Sequence, residues 1–234
     1  MVDEPGVVLA KVQSARDLVA ARVDSGNPLR NRVAVLPASF NPPTLAHLEL
    51  LAGAREVDDV GSVACLLTTR NVDKGLFGAA LEERMAMLLS LADPAIAVLV
   101  SNAARIADQA IAATSVFPGL QFDFVVGFDT LIRVFDGRYY ENMHLILEPF
   151  FARHRLIAAN RGQHDVNAVE SYLATHPDAN RYREAIVVAA VQEEAALMSS
   201  SLVRRHLATS GSSPHLPAEV ARYIKENHLY RHGD

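Results

Sequence analysis

Residues 33–50 read VAVLPASFNPPTLAHLEL. RVAVLPA (32–38) is a short apolar run of strand character. It stops at Ser39-Phe40-Asn41, and Pro42 and Pro43 then force an extended path and remove two backbone donors. HLELLAGAREV (47–57) has helical spacing. Thr44 stands where an N-cap belongs, and His47 falls three residues later, in the first helical turn. Taken as structure alone, this is a capped helix with a satisfied histidine. Taken as chemistry, it is an anion site, because a helix N-terminus presents unpaired N–H groups and the positive end of the helix dipole.

The same strand-then-helix alternation continues on both sides of this stretch. VLAKVQSARDLVAARVD (8–24) spaces its apolar residues as one helical stripe, broken by SGNPLRN. Strands are expected at 60–67, 95–101, 122–129, 154–160 and 185–191. Helices are expected at 81–92, 104–117, 165–176, 200–208 and 217–230, with 137–153 as a loop-rich insertion. The strands are unbroken Val/Ile/Ala runs without polar alternation, as strands covered on both faces require. The expectation is a single α/β domain: a Rossmann-like, doubly wound parallel sheet with helices on both faces. Ligands of such sheets bind beyond the carboxyl ends of the strands.

Composition narrows the function. Half of the 234 residues are hydrophobic, enough for a substantial core. With 22 basic and 27 acidic residues the net charge is −5, which argues against a broad nucleic-acid-binding face. The single cysteine, Cys65, lies in the apolar run VGSVACLL and reads as core, leaving no internal disulfide and no cysteine-based zinc site. The nine histidines are scattered rather than spaced as metal ligands. MVDEPGVV lacks the layout of a signal peptide, and no apolar stretch is long enough to span a bilayer, so a cytoplasmic protein without a membrane partner is expected.

Three segments leave strands at the sheet's expected ligand edge. SFNPPTLAH is the first. MSSSLVR (198–204) offers Ser199 or Ser200 as a cap, with Ser200 and Arg204 four residues apart on one helical face: a polyphosphate grip, or simply a capped surface helix. VGFDT (126–130) places Gly127 where a ligand can approach the backbone closely. Its Asp129 could take ribose hydroxyls or a metal ion, or merely cap a short helix. Neither GxxxxGK[ST] nor GxGxxG occurs, so any phosphate site here is built differently.

SFNPPTLAH resembles the GxFxPxTxxH signature of the nucleotidyltransferase superfamily, and MSSSLVR resembles its ISSTxxR signature. NVDKG with EERMAML, VVGFDTL, NRGQHD and LPAEVARYIKENHLY follow in the order found in nicotinamide/nicotinate mononucleotide adenylyltransferases. The resemblance spans about residues 32–230. It implies a helical extension over 1–31 and a nucleotidyltransferase domain over 32–234. It also implies a reaction: a pyridine mononucleotide phosphate attacks the α-phosphorus of ATP and releases pyrophosphate, with Mg²⁺ accompanying ATP and no covalent intermediate.

On that resemblance Ser39, Phe40, Thr44 and His47 surround the reacting phosphates, and His47 contacts the α-phosphate. Lys74 reaches the phosphates from a loop. Gly127 and Asp129 hold the ATP ribose, and Ser199, Ser200 and Arg204 grip the β- and γ-phosphates. Asn41, Lys74, Tyr139, Tyr140 and Arg161 are the mononucleotide contacts implied.

The chain departs from the family pattern in places. Ala38 replaces the first glycine of the signature, and Thr44 stands where many bacterial relatives carry histidine. There is no tryptophan to stack on the pyridine ring, which leaves Tyr139 and Tyr140 as the aromatic faces in that region. Two other readings remain: an adenylyltransferase for another phosphorylated acceptor such as phosphopantetheine, and a nucleotide-binding protein without turnover. The N-terminal helix would cover a flank of the sheet or serve as a subunit contact in a homo-oligomer.

Overall fold

The structure is a computed structural model that describes residues 3–70, 78–160 and 162–231. Its strands are β1 (Ala20–Arg22), β2 (Arg32–Ala38), β3 (Val60–Thr68), β4 (Ile96–Ser101), β5 (Gln121–Gly127), β6 (Arg155–Ala159) and β7 (Ile186–Ala189). They form one seven-stranded sheet in the order β1-β4-β3-β2-β5-β6-β7, parallel except for β1, which pairs antiparallel with β4. Eleven α-helices lie among the described residues: α1 (Pro5–Ser14), α2 (Leu45–Arg55), α3 (Leu81–Ser90), α4 (Ile106–Val116), α5 (Phe128–Val134), α6 (Met143–Phe151), α7 (Val166–Thr175), α8 (Pro177–Arg181), α9 (Glu193–Leu197), α10 (Ser200–Ser210) and α11 (Ala218–Glu226).

Alternate side chains on a strand point to opposite faces, and here both faces are covered. Val33 and Val35 of β2, with Phe122, Phe124 and Val126 of β5, pack beneath α4, α5, α6 and α7. Ala34 and Leu36 of β2 and Val63, Cys65 and Leu67 of β3 pack beneath α1, α2 and α3. That is why the strands read as unbroken apolar runs. A third apolar cluster, built on Met87, Val203, Leu207, Val220 and Ile224, joins α10 and α11 to α3. Burial pushes the Cys65 thiol up to about 12, so it remains a neutral core side chain. No described helix is long and apolar enough to cross a membrane.

At the amino ends of the strands the fully buried Asp123 carboxylate receives Arg32 Nη1 and Arg155 Nη2, each at 2.7 Å, tying β2, β5 and β6 together. Beside it the buried His154 accepts the Phe122 N–H on Nδ1 at 3.2 Å, and burial pushes its pKa down to about 4.

The doubly wound sheet is as expected, but two local expectations are corrected. The helix expected over 8–24 ends at Ser14, and residues 20–22 are the edge strand β1. The reason is the open edge of β4. Ser101 Oγ donates to Val19 O (2.8 Å), Val23 N–H donates to Val98 O (2.9 Å), and Val98 N–H reaches the Asp24 carboxylate (2.6 Å). Unpaired edge groups outweigh the helical spacing of Ala15, Leu18 and Val19, and Leu18 is in fact exposed. The second correction concerns 137–153, expected to be rich in loop. It holds α6, capped by Asn142 Oδ1 accepting Leu145 N–H at 3.3 Å and burying Leu147 and Phe150. Pro149 inside that helix disguised it.

Candidate active site

Strands β2 and β5 are neighbours, yet the chain runs outward from them in opposite directions, to β3 and β4 on one side and β6 and β7 on the other. A crevice opens at the carboxyl ends of strands at such a switch point. The turn after β2 enters it. Phe40 has φ +44° and is buried, with its ring 5.0 Å from the His47 imidazole. Asn41–Pro42 is a cis peptide. Thr44, with extended backbone angles, begins α2.

His47 turns back onto that cap. Its Nδ1 accepts the Thr44 N–H at 3.0 Å and lies 2.8 Å from Thr44 Oγ1. A nitrogen that accepts a main-chain N–H carries no proton itself, so the neutral ring holds its proton on Nε2 and donates from there. The next donor, Leu45 N–H, is committed to His215 O at 3.0 Å. His47 N–H in turn reaches Thr44 O at 3.0 Å, so the main-chain donors of Thr44, Leu45 and His47 are all committed within the protein.

The cleft spans about 420 Å³ with the open solvent at its mouth included. Thr44, Ala46, His47 and Leu50 line it from α2, and Gly127 from the end of β5. Asn160 closes it from beyond β6, and Val191, Ala196, Met198, Ser199 and Ser200 from the segment after β7. Both sides mix apolar side chains with polar ones, Leu50 and Ala46 beside Thr44 and His47, and Val191 and Met198 beside Ser199 and Ser200, a lining that suits a flat base joined to a phosphate chain. The Asn160 carboxamide prolongs the β6–β7 pairing: Nδ2 donates to Val191 O (3.0 Å) and Oδ1 accepts Val191 N–H (2.7 Å). Gln192 N–H reaches Glu49 Oε1 at 2.8 Å, anchoring that wall to α2.

Helix α10 meets the turn head-on. Ser199 Oγ caps it through Leu202 N–H at 3.2 Å, and Ser200 Oγ donates to Pro42 O at 2.9 Å. One turn further on, Arg204 donates from Nη1 to Asn41 O at 2.6 Å and from Nη2 to Ser201 Oγ at 3.0 Å. From α3 the buried Arg84 donates to Ala79 O at 2.8 Å and Ser39 O at 3.4 Å. Burial lowers the pKa of both guanidinium groups, and Tyr230 nearby counters it.

The residues singled out from sequence thus separate by position. Thr44, His47, Gly127, Ser199 and Ser200 meet in one cleft. Ser39, Phe40, Asn41 and Arg204 form or brace the turn beside it. Asp129 is exposed in the first turn of α5. Tyr139 lies in a short 3-10 turn, Gly137–Tyr139, and Tyr140 packs half-buried on the core with its hydroxyl bound to Val134 O at 2.9 Å; neither lines the cleft. Lys74 and Arg161 lie outside the described residues. Asn160, Arg84 and Tyr230 escaped the sequence reading. Only Arg84 left a trace, as a charge on the apolar face of LEERMAMLL between Leu81, Met85 and Leu88.

No family model matches the chain. It is 27% identical over 218 residues to a protein of Schizosaccharomyces pombe named "Putative nicotinamide mononucleotide adenylyltransferase", covering 85% of this chain and 86% of that one. Nicotinic acid mononucleotide adenylyltransferase of Plasmodium falciparum, solved in complex with NaAD, superposes with a TM-score of 0.62 at 16% identity, over 86% of this chain and 98% of that one. The same enzyme complexed with APC gives 0.60 at 15% identity, over 86% and 98%. The resemblance to the pyridine mononucleotide adenylyltransferases is borne out. It extends over most of the chain in sequence, and in the fold that carries the cleft.

Proposed function

We propose that this protein transfers the adenylyl group of ATP to nicotinamide or nicotinate mononucleotide, forming NAD or its deamido form and releasing pyrophosphate. The observation that carries this reading is the meeting of His47, Ser199 and Ser200 in one cleft at the switch point, in a chain similar along most of its length to proteins named for that reaction.

In this reading an oxygen of the mononucleotide phosphate attacks the α-phosphorus in line. The bond from the α-phosphorus to the bridging oxygen breaks, and that oxygen leaves on pyrophosphate. Such transfers need positioning and charge stabilisation rather than a covalent intermediate. His47 donates from Nε2 to an α-phosphate oxygen as its charge grows, with Nδ1 held by the Thr44 N–H so that the ring cannot turn. Ser199, Ser200 and the N-terminus of α10 receive the β- and γ-phosphates, and Arg204 supplies fixed positive charge beside the turn. Gly127 lets the nucleotide approach the β5 end closely, and Asp129 follows it towards the ribose.

Lys74 and Arg161 complete the phosphate and mononucleotide contacts, and Asn41 stands on the mononucleotide side. Mg²⁺ accompanies ATP in this reading and would offset the charge of its phosphates. We place the protein in the cytoplasm, acting on small molecules.

Pyrophosphate release with ATP and Mg²⁺, compared across NMN, NaMN and 4′-phosphopantetheine, tests this. Turnover with either pyridine nucleotide and a dinucleotide product is the expected result. Turnover with phosphopantetheine alone would replace the acceptor, and ATP binding without release from any of the three would make the protein a nucleotide binder.

A further inference from the structure

The far end of the chain reaches the turn that carries the chemistry. Beyond α11 the backbone folds back, with Leu229 N–H bonded to Ile224 O at 3.1 Å, and the Tyr230 hydroxyl donates to Asn41 Oδ1 at 2.7 Å across 189 positions of sequence. Tyr230 is 6% exposed and has φ +58°, a left-handed conformation that a bulky residue adopts only when its surroundings impose it. Burial raises the phenol far above its usual range, so the hydroxyl stays protonated and donating. The same carboxamide oxygen accepts Ala79 N–H at 3.3 Å. Gly78, at φ +74°, lies so close that a Cβ there would come within 2.8 Å of Asn41 Nδ2.

The apolar side of the tail explains how it is held. Tyr230 belongs to the third cluster with Met87, Val203 and Ile224, and Tyr223 of α11 donates to Glu83 Oε2 of α3 at 2.7 Å. The tail is therefore docked on α3 and α10, the two helices whose Arg84, Ser200 and Arg204 grip the carbonyls of Ser39, Pro42 and Asn41. Arginine and serine hold the backbone of the turn, while Tyr230 fixes the carboxamide of the residue between Phe40 and Pro42.

We propose that Tyr230 is a positioning residue for adenylyl transfer: through Asn41 it locks the phosphate turn, so that Thr44 and His47 stand ready before ATP arrives. This deepens the proposed function and rests on it. The strained tyrosine acts through its hydroxyl, and not its bulk alone, in setting the turn.

The test compares wild type, Tyr230→Phe, Asn41→Ala and the double variant in pyrophosphate release. Amide hydrogen exchange is followed in parallel for the peptide spanning 39–47. Tyr230→Phe is expected to keep its fold by circular dichroism and to lose roughly 10-fold in kcat, with KM for ATP changed less than about 3-fold. It should also speed exchange in the 39–47 peptide while leaving the peptides of β3 and β5 unchanged. In the Asn41→Ala background the same substitution should cost nothing further, because its route of action is already gone. Wild-type kcat and wild-type exchange in Tyr230→Phe would overturn the proposal, and so would losses that multiply in the double variant. If wild type turns over no acceptor, the reaction assigned above fails, and exchange in Tyr230→Phe still decides whether the tail locks the turn.

Discussion

His47 combines two tasks in one ring, and they can be separated. Its Nδ1 serves the helix cap at Thr44, while Nε2 is the donor to the α-phosphate in the function proposed above. His47→Ala is expected to lose about 10²–10³ in kcat, the usual cost of removing a donor to developing charge. Loss of the cap should cost about 1 kcal/mol of stability besides. Kinetics of pyrophosphate release alongside thermal unfolding read the two effects apart, and near-normal turnover would remove His47 from the mechanism. Arg204→Ala should raise KM for ATP more than it lowers kcat, because it removes charge beside the phosphates and a bond to Asn41 O together. Unchanged KM and kcat/KM would exclude that role. Tyr140 supplies a finer test. Tyr140→Phe loses only the bond to Val134 O and should cost about 1 kcal/mol in stability with KM for the mononucleotide unaltered.

Between the elements, the loops beyond the strands are held by side chains that imitate strand pairing. Asn160 is the clearest instance, since it bridges the ends of β6 and β7 and forms part of the cleft wall. Nothing in NRGQHD distinguishes this asparagine from a turn residue, because its partner, Val191, lies 31 positions away. At the opposite end of the sheet, the Arg32–Asp123–Arg155 cluster joins three strands through one fully buried carboxylate. Asp123→Ala leaves two guanidinium groups facing each other without their anion and should destabilise the protein by about 3–5 kcal/mol. Denaturant unfolding measures this, and activity per folded molecule should be retained because the cluster lies away from the cleft.

For the molecule as a whole, pH provides a readout of burial. His154 titrates at about 4 in the folded protein, against about 6.5 when unfolded. The folded form binds fewer protons in that window, so the stability contributed by neutral His154 is fully present above pH 6.5 and is lost as pH falls towards 4. Unfolding free energies for wild type and His154→Gln should therefore converge across that range on acidification; parallel curves would show that His154 does not titrate there.

Much of this architecture was legible along the chain. Seven helices and the strands from 32 onwards follow from apolar runs, helical spacing and turn residues, because these are local preferences. Thr44, His47 and Gly127 could be singled out because each sits where a strand gives way to a helix, and Ser199 and Ser200 because they stand where a helix begins. The sheet order then brought them to one cleft.

What local sequence could not contain were partners supplied from a distance. The edge of β4 converted the end of an apparent helix into β1. The buried Arg84 and the docked tail turned Ser39–Pro42 into a braced turn. The identity and order of most elements were therefore set by the sequence itself, through hydrophobic period and backbone preference. Which polar groups find each other was decided only in the tertiary structure, because a buried donor or acceptor must be satisfied by whatever the fold brings beside it, however far away in the chain.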